Sequence, residues 1–134
     1  MSLDRFSVTR AGRTSVVNVD DIDWIESDGN YVSLHVGPQR HLVRGTLTAT
    51  AGQLDPSRFV RIHRRFIVNV DRVRGLEPWL GGDSLLLLHD GQKLRLSRNF
   101  KQEFKRVTGI GVRSSVGAGA QMSAGGAEQA TASA

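Results

Sequence analysis

A chain of 134 residues, of which 39% are hydrophobic, can form one domain with a core of its own but is too short for two ordinary domains. The absence of cysteine excludes a disulfide framework, a thiolate nucleophile and a cysteine-ligated zinc site. The net charge of +5 favours a polyanionic partner because it is concentrated: residues 58–74 and 93–106 each hold six bases and one acid, whereas residues 20–28 hold five acids and no base.

The first part of the chain alternates apolar with polar residues, a pattern typical of half-buried β-strands. Alternation is clearest over residues 31–36, where Val32 and Leu34 share one face and Ser33 and His35 the other. We predict strands at residues 6–9, 15–19, 24–27, 31–36 and 41–45, joined by turns at 11–13, 28–30 and 37–38. These turns contain residues that suit tight reversals, so the order predicts a meander of hairpins.

A short helix is expected to follow this meander. Thr46 can cap its first turn, and the apolar residues Leu47, Ala51 and Leu54 fall on one helical face. Asp55-Pro56 ends the helix, because the residue before a proline disfavours helical backbone angles.

The next segment returns to strands and closes with a second helix. Strands are predicted at residues 59–62, 68–76, 84–88 and 93–96, with hairpin turns at 81–83 and 90–91. Either Ser97 or Asn99 can cap the final helix, with Gln102 at the third helical position if the cap is Asn99. Its buried stripe would be Phe100, Phe104 and Val107, and Gly109 would end it. The predicted fold is therefore mostly antiparallel β with two short helices.

The composition changes sharply near residue 110. Residues 111–134 are mostly Ala, Gly and Ser, which cannot bury enough apolar surface to offset the entropy lost on ordering. We therefore expect one folded domain over residues 1–110 and a disordered tail over residues 111–134.

Catalytic and metal sites are not indicated. The four histidines, His35, His41, His63 and His89, lack the spacing of metal ligands, and no nucleophile motif or phosphate-binding glycine loop is present. The acids at 20, 21 and 23 lack the spacing of a calcium loop and are expected to form a solvated turn before a buried Trp24. Since no motif for one is present, we expect no cofactor. No apolar run is long enough to span a bilayer and the N-terminus has no secretory signal, so we expect a cytoplasmic protein.

The strongest functional signal is the segment from Arg61 to Asn69. Apolar residues anchor it on both sides of His63-Arg64-Arg65, which forms a basic loop on a rigid frame. An arginine can bond bidentately to guanine or clamp a phosphate. The alternative is that Arg64 or Arg65 pairs with the acidic cluster at 20–28.

A second basic element lies where the last strand meets the last helix, at residues 96–101. Free N–H groups at a helix start suit phosphate, and Ser97 and Asn99 can either cap the helix or reach DNA. Lys101 and Lys105 are four residues apart on the expected exposed face, where a purely solvated role is the alternative.

These segments together resemble the LytTR-type DNA-binding domain, the output module of many bacterial response regulators. The resemblance covers about residues 5–108 and is carried by VNVDDI at 17–22, IESDGNYV at 25–32, FVRIHRRFIVN at 59–69 and LRLSR at 94–98. It implies an elongated all-β fold of about ten strands in three small sheets. Members insert loops into successive major grooves of duplex DNA, bend it, and usually act in pairs on short direct repeats near promoters.

The resemblance also implies which residues read DNA. Asn30, Arg64 and Arg98 match the base-reading positions of its three loops, while His63 is expected to support its loop. The other DNA-binding candidates are Arg65, Ser97, Asn99 and Lys101. The implied function is sequence-specific binding of double-stranded DNA by a non-enzymatic transcription regulator.

A β-rich module that binds RNA or an acidic protein is the alternative, although few exposed aromatic residues are expected for stacking on single strands. A response regulator would also carry an N-terminal receiver domain. Only four or five residues precede the first predicted strand, so the sequence does not support regulation by phosphorylation.

Overall fold

The structure, a computed structural model, describes residues 2–111, which form ten strands in three antiparallel sheets, two α-helices and four short 3₁₀ turns. The strands are β1 Arg5–Arg10, β2 Arg13–Asn18, β3 Trp24–Asp28, β4 Tyr31–Val36, β5 Gln39–Arg44, β6 Phe59–His63, β7 Phe66–Asn69, β8 Val73–Pro78, β9 Ser84–Leu88 and β10 Lys93–Leu96. The helices are α1 Leu47–Gln53 and α2 Lys101–Thr108. The predicted mostly-β fold class is confirmed, whereas the predicted tail lies, apart from Gly111, outside the described residues.

The five-stranded sheet, in the order β5-β4-β3-β7-β6, is the middle layer. Side chains of successive strand residues point to opposite faces, so neighbouring residues serve two different cores. Ile25 and Ile67 belong to one core, whereas the adjacent Trp24 and Val68 belong to the other. Both faces are therefore covered, which explains why β3 and β7 lack a solvent-facing side over these residues.

Different elements cover the two faces. The β1–β2 hairpin and α1 contribute Phe6, Val17 and Leu47 to the first core. The three-stranded sheet, in the order β10-β9-β8, and α2 contribute Leu86 and Phe104 to the second. These layers hold the ends of the central strands, and the turns between them, in fixed positions.

One predicted element is wrong. Residues 68–76 do not form a single strand, because a 3₁₀ turn at Val70–Arg72 divides them between β7 and β8, which lie in different sheets. The buried Asn69 causes the division: its side-chain amide donates to the Ile22 carbonyl at 2.8 Å, and its Oδ1 accepts from the Asp71 N–H at 3.0 Å. A side chain that caps a turn in this way competes with continuation of the strand.

The predicted helix ends are largely confirmed. The Thr46 hydroxyl accepts from the Ala49 N–H at 3.0 Å, and Gly109 ends α2 with φ 75°, a left-handed conformation that favours glycine. Asn99 does not cap α2, because a 3₁₀ turn at Arg98–Phe100 comes first and the Ser97 hydroxyl accepts from the Asn99 N–H at the start of that turn.

Candidate nucleic-acid interface

Two of the three predicted loops are tight turns at the same end of the central sheet. Gly29 and Asn30 connect β3 to β4, and Arg64 and Arg65 connect β6 to β7. Because β3 pairs with β7, the turns are neighbours, and the Ser27 N–H donates to the Arg65 carbonyl at 2.9 Å. Arg64 and Arg65 therefore lie at the tip of a two-residue turn rather than in a mobile loop.

The Arg64–Arg65 turn is braced by side chains from its own strand. Arg61 donates through Nε to the His63 carbonyl at 3.0 Å and through Nη2 to the Arg64 carbonyl. The Arg65 N–H donates to Nδ1 of His63 at 3.1 Å. The supporting role of His63 stays a prediction, and this hydrogen bond is the contact through which it would act. Arg61 contacts the same turn, and sequence reasoning missed it.

The surroundings of His63 favour its neutral form. Partial burial lowers the pKa of its imidazole below 6.5, and the positive charges of Arg64 and Arg95 lower it further. Since Nδ1 accepts a hydrogen bond, the ring proton is assigned to Nε2. His63 consequently presents a donor, not a cation, beside the basic turn.

The two arginines at the tip differ in their surroundings. Arg65 reaches Glu26 at 3.5 Å and the Ser27 carbonyl at 3.4 Å, so the alternative of pairing with residues 20–28 is realised for Arg65. Arg64 is exposed, and no acidic side chain within residues 2–111 forms an ion pair with it. Arg64 is therefore the member of the pair whose charge is available to a ligand.

The third predicted loop, which contains Ser97 and Arg98, lies at the same end of the molecule. The Ser97 N–H donates to the Ile62 carbonyl at 2.8 Å, which attaches the loop to β6 directly beside His63. Asp83 accepts from the Arg98 N–H at 2.8 Å and pairs with Arg95 at 3.1 Å. The backbone of Arg98 is fixed by these contacts while its side chain stays exposed and forms no ion pair within the described residues.

Asn99 and Lys101 differ in their exposure to solvent. Asn99 is exposed on the 3₁₀ turn, as a ligand-contacting residue would be. Lys101 is only half-exposed, and its Nζ donates to the Gly82 carbonyl at 3.1 Å, so the prediction that it lies with Lys105 on an open face is wrong for Lys101. Its ammonium still has two further donors.

Asn30 is exposed, and its carbonyl accepts from the Gly45 N–H at 2.9 Å. This bond brings the end of β5 to the same region, where the Arg44 guanidinium lies 5.8 Å from the centre of the Tyr31 ring. Sequence reasoning did not include Tyr31 and Arg44. The sequence did contain a signal for their proximity. Tyr31 begins the first strand of the predicted hairpin (31–36) and Arg44 lies at the end of the second (41–45), and such positions pair across a hairpin.

We call this part of the molecule the loop end: the turns at Gly29–Asn30 and Arg64–Arg65 together with the 3₁₀ turn at Arg98–Phe100. The opposite end of the central sheet, the acidic end, comprises Asp20, Asp21 and Asp23. There Arg58 pairs with Asp20 at 2.7 Å and Arg72 pairs with Asp23 at 2.7 Å. Residues 58–74 are therefore not one basic patch, since their arginines are divided between the two ends.

Other classes of site receive no support within the described range. Residues 2–111 contain no group of three or more histidine or acidic side chains arranged to hold a metal ion. Of the helices in the same range, none is both long enough and apolar enough to cross a membrane.

Comparison with known proteins gives similarities in sequence and in structure. Residues 12–109 match the family model of the LytTr DNA-binding domain. The chain is 28% identical over 95 residues to the sensory transduction protein LytT of Bacillus subtilis (strain 168), which covers 71% of this chain and 39% of that protein. It is 27% identical over 105 residues to the transcriptional regulatory protein YpdB of Escherichia coli (strain K12), which covers 78% of this chain and 43% of that protein. The chain thus spans about two fifths of the length of these curated relatives.

A solved structure has the same fold. The LytTr DNA-binding domain of a methyl-accepting/DNA response regulator from Bacillus cereus superimposes with a TM-score of 0.73. The superposition covers 81% of this chain and 100% of that chain, at 18% sequence identity. At that identity the likeness concerns the fold alone.

Proposed function

Since its match to the family model extends over residues 12–109, the chain belongs to the LytTr DNA-binding domain family, and from that premise we propose that it reads a specific sequence of duplex DNA as part of a transcription regulator. The observation that carries the proposal is the loop end. Three turns from two sheets are joined there by the Ser27–Arg65 and Ser97–Ile62 backbone hydrogen bonds. Two exposed arginines with no acidic partner in the described residues lie on these turns.

In this proposal the turns enter the major groove, where some of their side chains contact base edges and others contact phosphates. Arg64 and Arg98 present planar guanidinium groups that suit O6 and N7 of guanine, and Asn30 presents an amide that suits adenine. A reading side chain must be held in register, and the Arg61 and His63 hydrogen bonds and the Asp83–Arg98 contact supply that support.

The remaining candidates are assigned to the backbone of the duplex. Arg65, whose charge is partly neutralised by Glu26, and Lys101, which is tied to Gly82, are better suited to phosphate contacts than to base reading. Ser97 and Asn99 flank Arg98 at a 3₁₀ turn and contact phosphate or sugar. No cofactor and no catalytic step are part of this function.

We further propose that two copies bind one operator on short direct repeats close to a promoter. A single domain of this size offers three reading turns, and a second copy doubles the sequence that is read. The activity of the longer protein to which such a domain belongs would then be regulation of transcription.

The proposal is tested by selecting bound sites from a randomised duplex library and measuring affinity for the recovered duplex at several salt concentrations. We expect paired short repeats to be recovered. We also expect affinity to fall by about 0.9 log units per log unit of salt for each phosphate neutralised. Single strands and RNA serve as competitors. Equal competition by RNA, or recovery of no common sequence, would contradict the proposal and favour the RNA or acidic-protein alternative.

A further inference from the structure

Large apolar side chains are exposed at few positions of the described residues, and two of these, Trp79 and Leu80, are adjacent on a turn that contacts the 3₁₀ turn of the loop end. Trp79 is 46% exposed and Leu80 74%, whereas the other two, Tyr31 at 42% beside Asn30 and Val16 at 61% on the β1–β2 hairpin, lie on other turns and strands. Trp79 and Leu80 belong to neither core. Exposed apolar groups that cluster, rather than scatter singly, indicate a contact surface.

Trp79 and Leu80 form the tip of the turn between β8 and β9. The Trp79 N–H donates to the Asp83 carbonyl at 3.0 Å, and the Asp83 N–H donates to the Leu80 carbonyl at 3.1 Å. Gly81 and Gly82 adopt φ values of 66° and 84°, which allow the chain to reverse within so few residues. The tip is thus a closed, hydrogen-bonded turn that presents two apolar side chains to solvent.

This turn is attached to the proposed reading residue Arg98. Asp83, which closes the turn, also holds the Arg98 N–H, and the Gly82 carbonyl accepts from Lys101. A side chain at Gly82 would lie 3.8 Å from Cδ of Arg98. The apolar tip and the basic 3₁₀ turn therefore form one continuous surface.

We propose that Trp79 and Leu80 contact duplex DNA beside the base pair read by Arg98, packing on deoxyribose and on thymine methyl groups. This inference rests on the proposed function and adds two residues and an apolar component to it. Duplex DNA is the occupant that the surroundings favour, because the tip is flanked by the cations Arg98 and Lys101. The acids beside it are paired, Asp83 with Arg95 at 3.1 Å and Glu77 with Lys93 at 4.0 Å. A thymine methyl group in the major groove is read by apolar side chains.

The test uses Trp79→Ala and Leu80→Ala in the full chain, with Val16→Ala as the matched control for an exposed apolar residue away from the loop end. Affinity for the duplex recovered by selection is measured over a range of salt concentrations, and thermal unfolding shows that each variant is folded. Each tip variant should bind about tenfold more weakly than wild type, since lost apolar burial scales with area. The salt slope should not change, because no phosphate contact is lost. The fluorescence of Trp79 should shift on binding, measured in a Trp24→Phe background.

The outcomes separate this inference from the proposed function. If wild type and both tip variants bind the duplex equally, the apolar contact is wrong while DNA binding stands, and the tip is then free for a protein partner. A changed salt slope in the tip variants would also contradict the inference, because it would indicate displacement of Arg98 or Lys101. If wild type itself selects no duplex, the proposed function fails and the inference fails with it.

Discussion

The two ends of the central sheet carry arginines from the same stretch of sequence but in opposite electrostatic settings. At the acidic end Arg58 and Arg72 are matched by Asp20 and Asp23, each at 2.7 Å. At the loop end Arg64 has no such partner within residues 2–111. The chain reverses at the β6–β7 turn, so arginines a few residues apart are carried to opposite ends.

The comparison separates a role in stability from a role in recognition. Charges that are paired within the protein stabilise its own structure and offer little to a ligand. Charges held in place through backbone contacts, but not neutralised, retain their attraction for an anion. We therefore expect changes at the acidic end to alter unfolding and changes at the loop end to alter binding.

The largest expected effect is a loss of unfolding free energy in Asn69→Ala, at the end of β7 that lies next to the acidic end. The buried side-chain amide of Asn69 donates to the carbonyl of the buried Ile22, and a buried polar group left without a partner costs about 1–3 kcal/mol of unfolding free energy. Chemical denaturation measures this loss. DNA affinity per folded molecule should be unchanged, and a selective loss of affinity at full stability would reverse the assignment of the two ends.

Next in size is Arg98→Ala, at the loop end. A bidentate arginine–guanine contact is worth about 1–3 kcal/mol, so binding to the selected duplex should weaken by about five- to 150-fold without a change in unfolding. Arg98→Lys keeps the charge but not the planar fork, so it should retain the salt slope and lose discrimination between bases. Unaltered discrimination in Arg98→Lys would mean that Arg98 only clamps a phosphate.

A smaller loss of DNA affinity is expected for Arg65→Ala, although Arg65 lies on the same turn as Arg64. Because Glu26 and the Ser27 carbonyl already engage its guanidinium, Arg65 should contribute less to binding than Arg64. Glu26→Gln is the complementary variant, since removing the acid should free Arg65 and strengthen DNA binding. Side-by-side titrations of the two variants decide the point, and weaker binding by Glu26→Gln would count against it.

The smallest expected effect is a pH dependence of stability from His63. Its pKa in the folded protein is lowered by burial and by Arg64 and Arg95, so the unfolded chain binds the proton more readily. Stability present at neutral pH is therefore lost as the pH falls from the unfolded value of 6.5 through the lower pKa of the folded protein. His35, whose pKa burial also lowers, acts in the same direction.

His63→Asn isolates this contribution because an asparagine oxygen can replace Nδ1 as acceptor for the Arg65 N–H. The melting temperature of wild type should therefore fall relative to that of His63→Asn as the pH is lowered from neutral to mildly acidic. The His35 contribution is common to both and cancels in the difference. A constant difference across that range would show that His63 is not held neutral.

Much of this arrangement was predictable from sequence, because strand alternation, turn residues and helix caps are local signals. The β4 alternation and the Thr46 cap are examples that the structure confirms. The division of residues 68–76 was not predictable, since it depends on a buried amide that reaches Ile22, 47 positions away in the chain. Partner choice among arginines depends in the same way on strand pairing, so Arg61 as a brace and Arg65 as a partner of Glu26 required the structure.

The most direct test of the two-ended account compares Arg64→Ala with Arg58→Ala in binding to the selected duplex over a range of salt concentrations. The exposed Arg58–Asp20 pair should contribute about 0–1 kcal/mol to stability, so both variants remain folded. We predict that Arg64→Ala loses specific affinity and that Arg58→Ala binds like wild type with the same salt slope. Equal losses in the two variants, or a loss confined to Arg58→Ala, would contradict the assignment of the loop end as the DNA-reading surface.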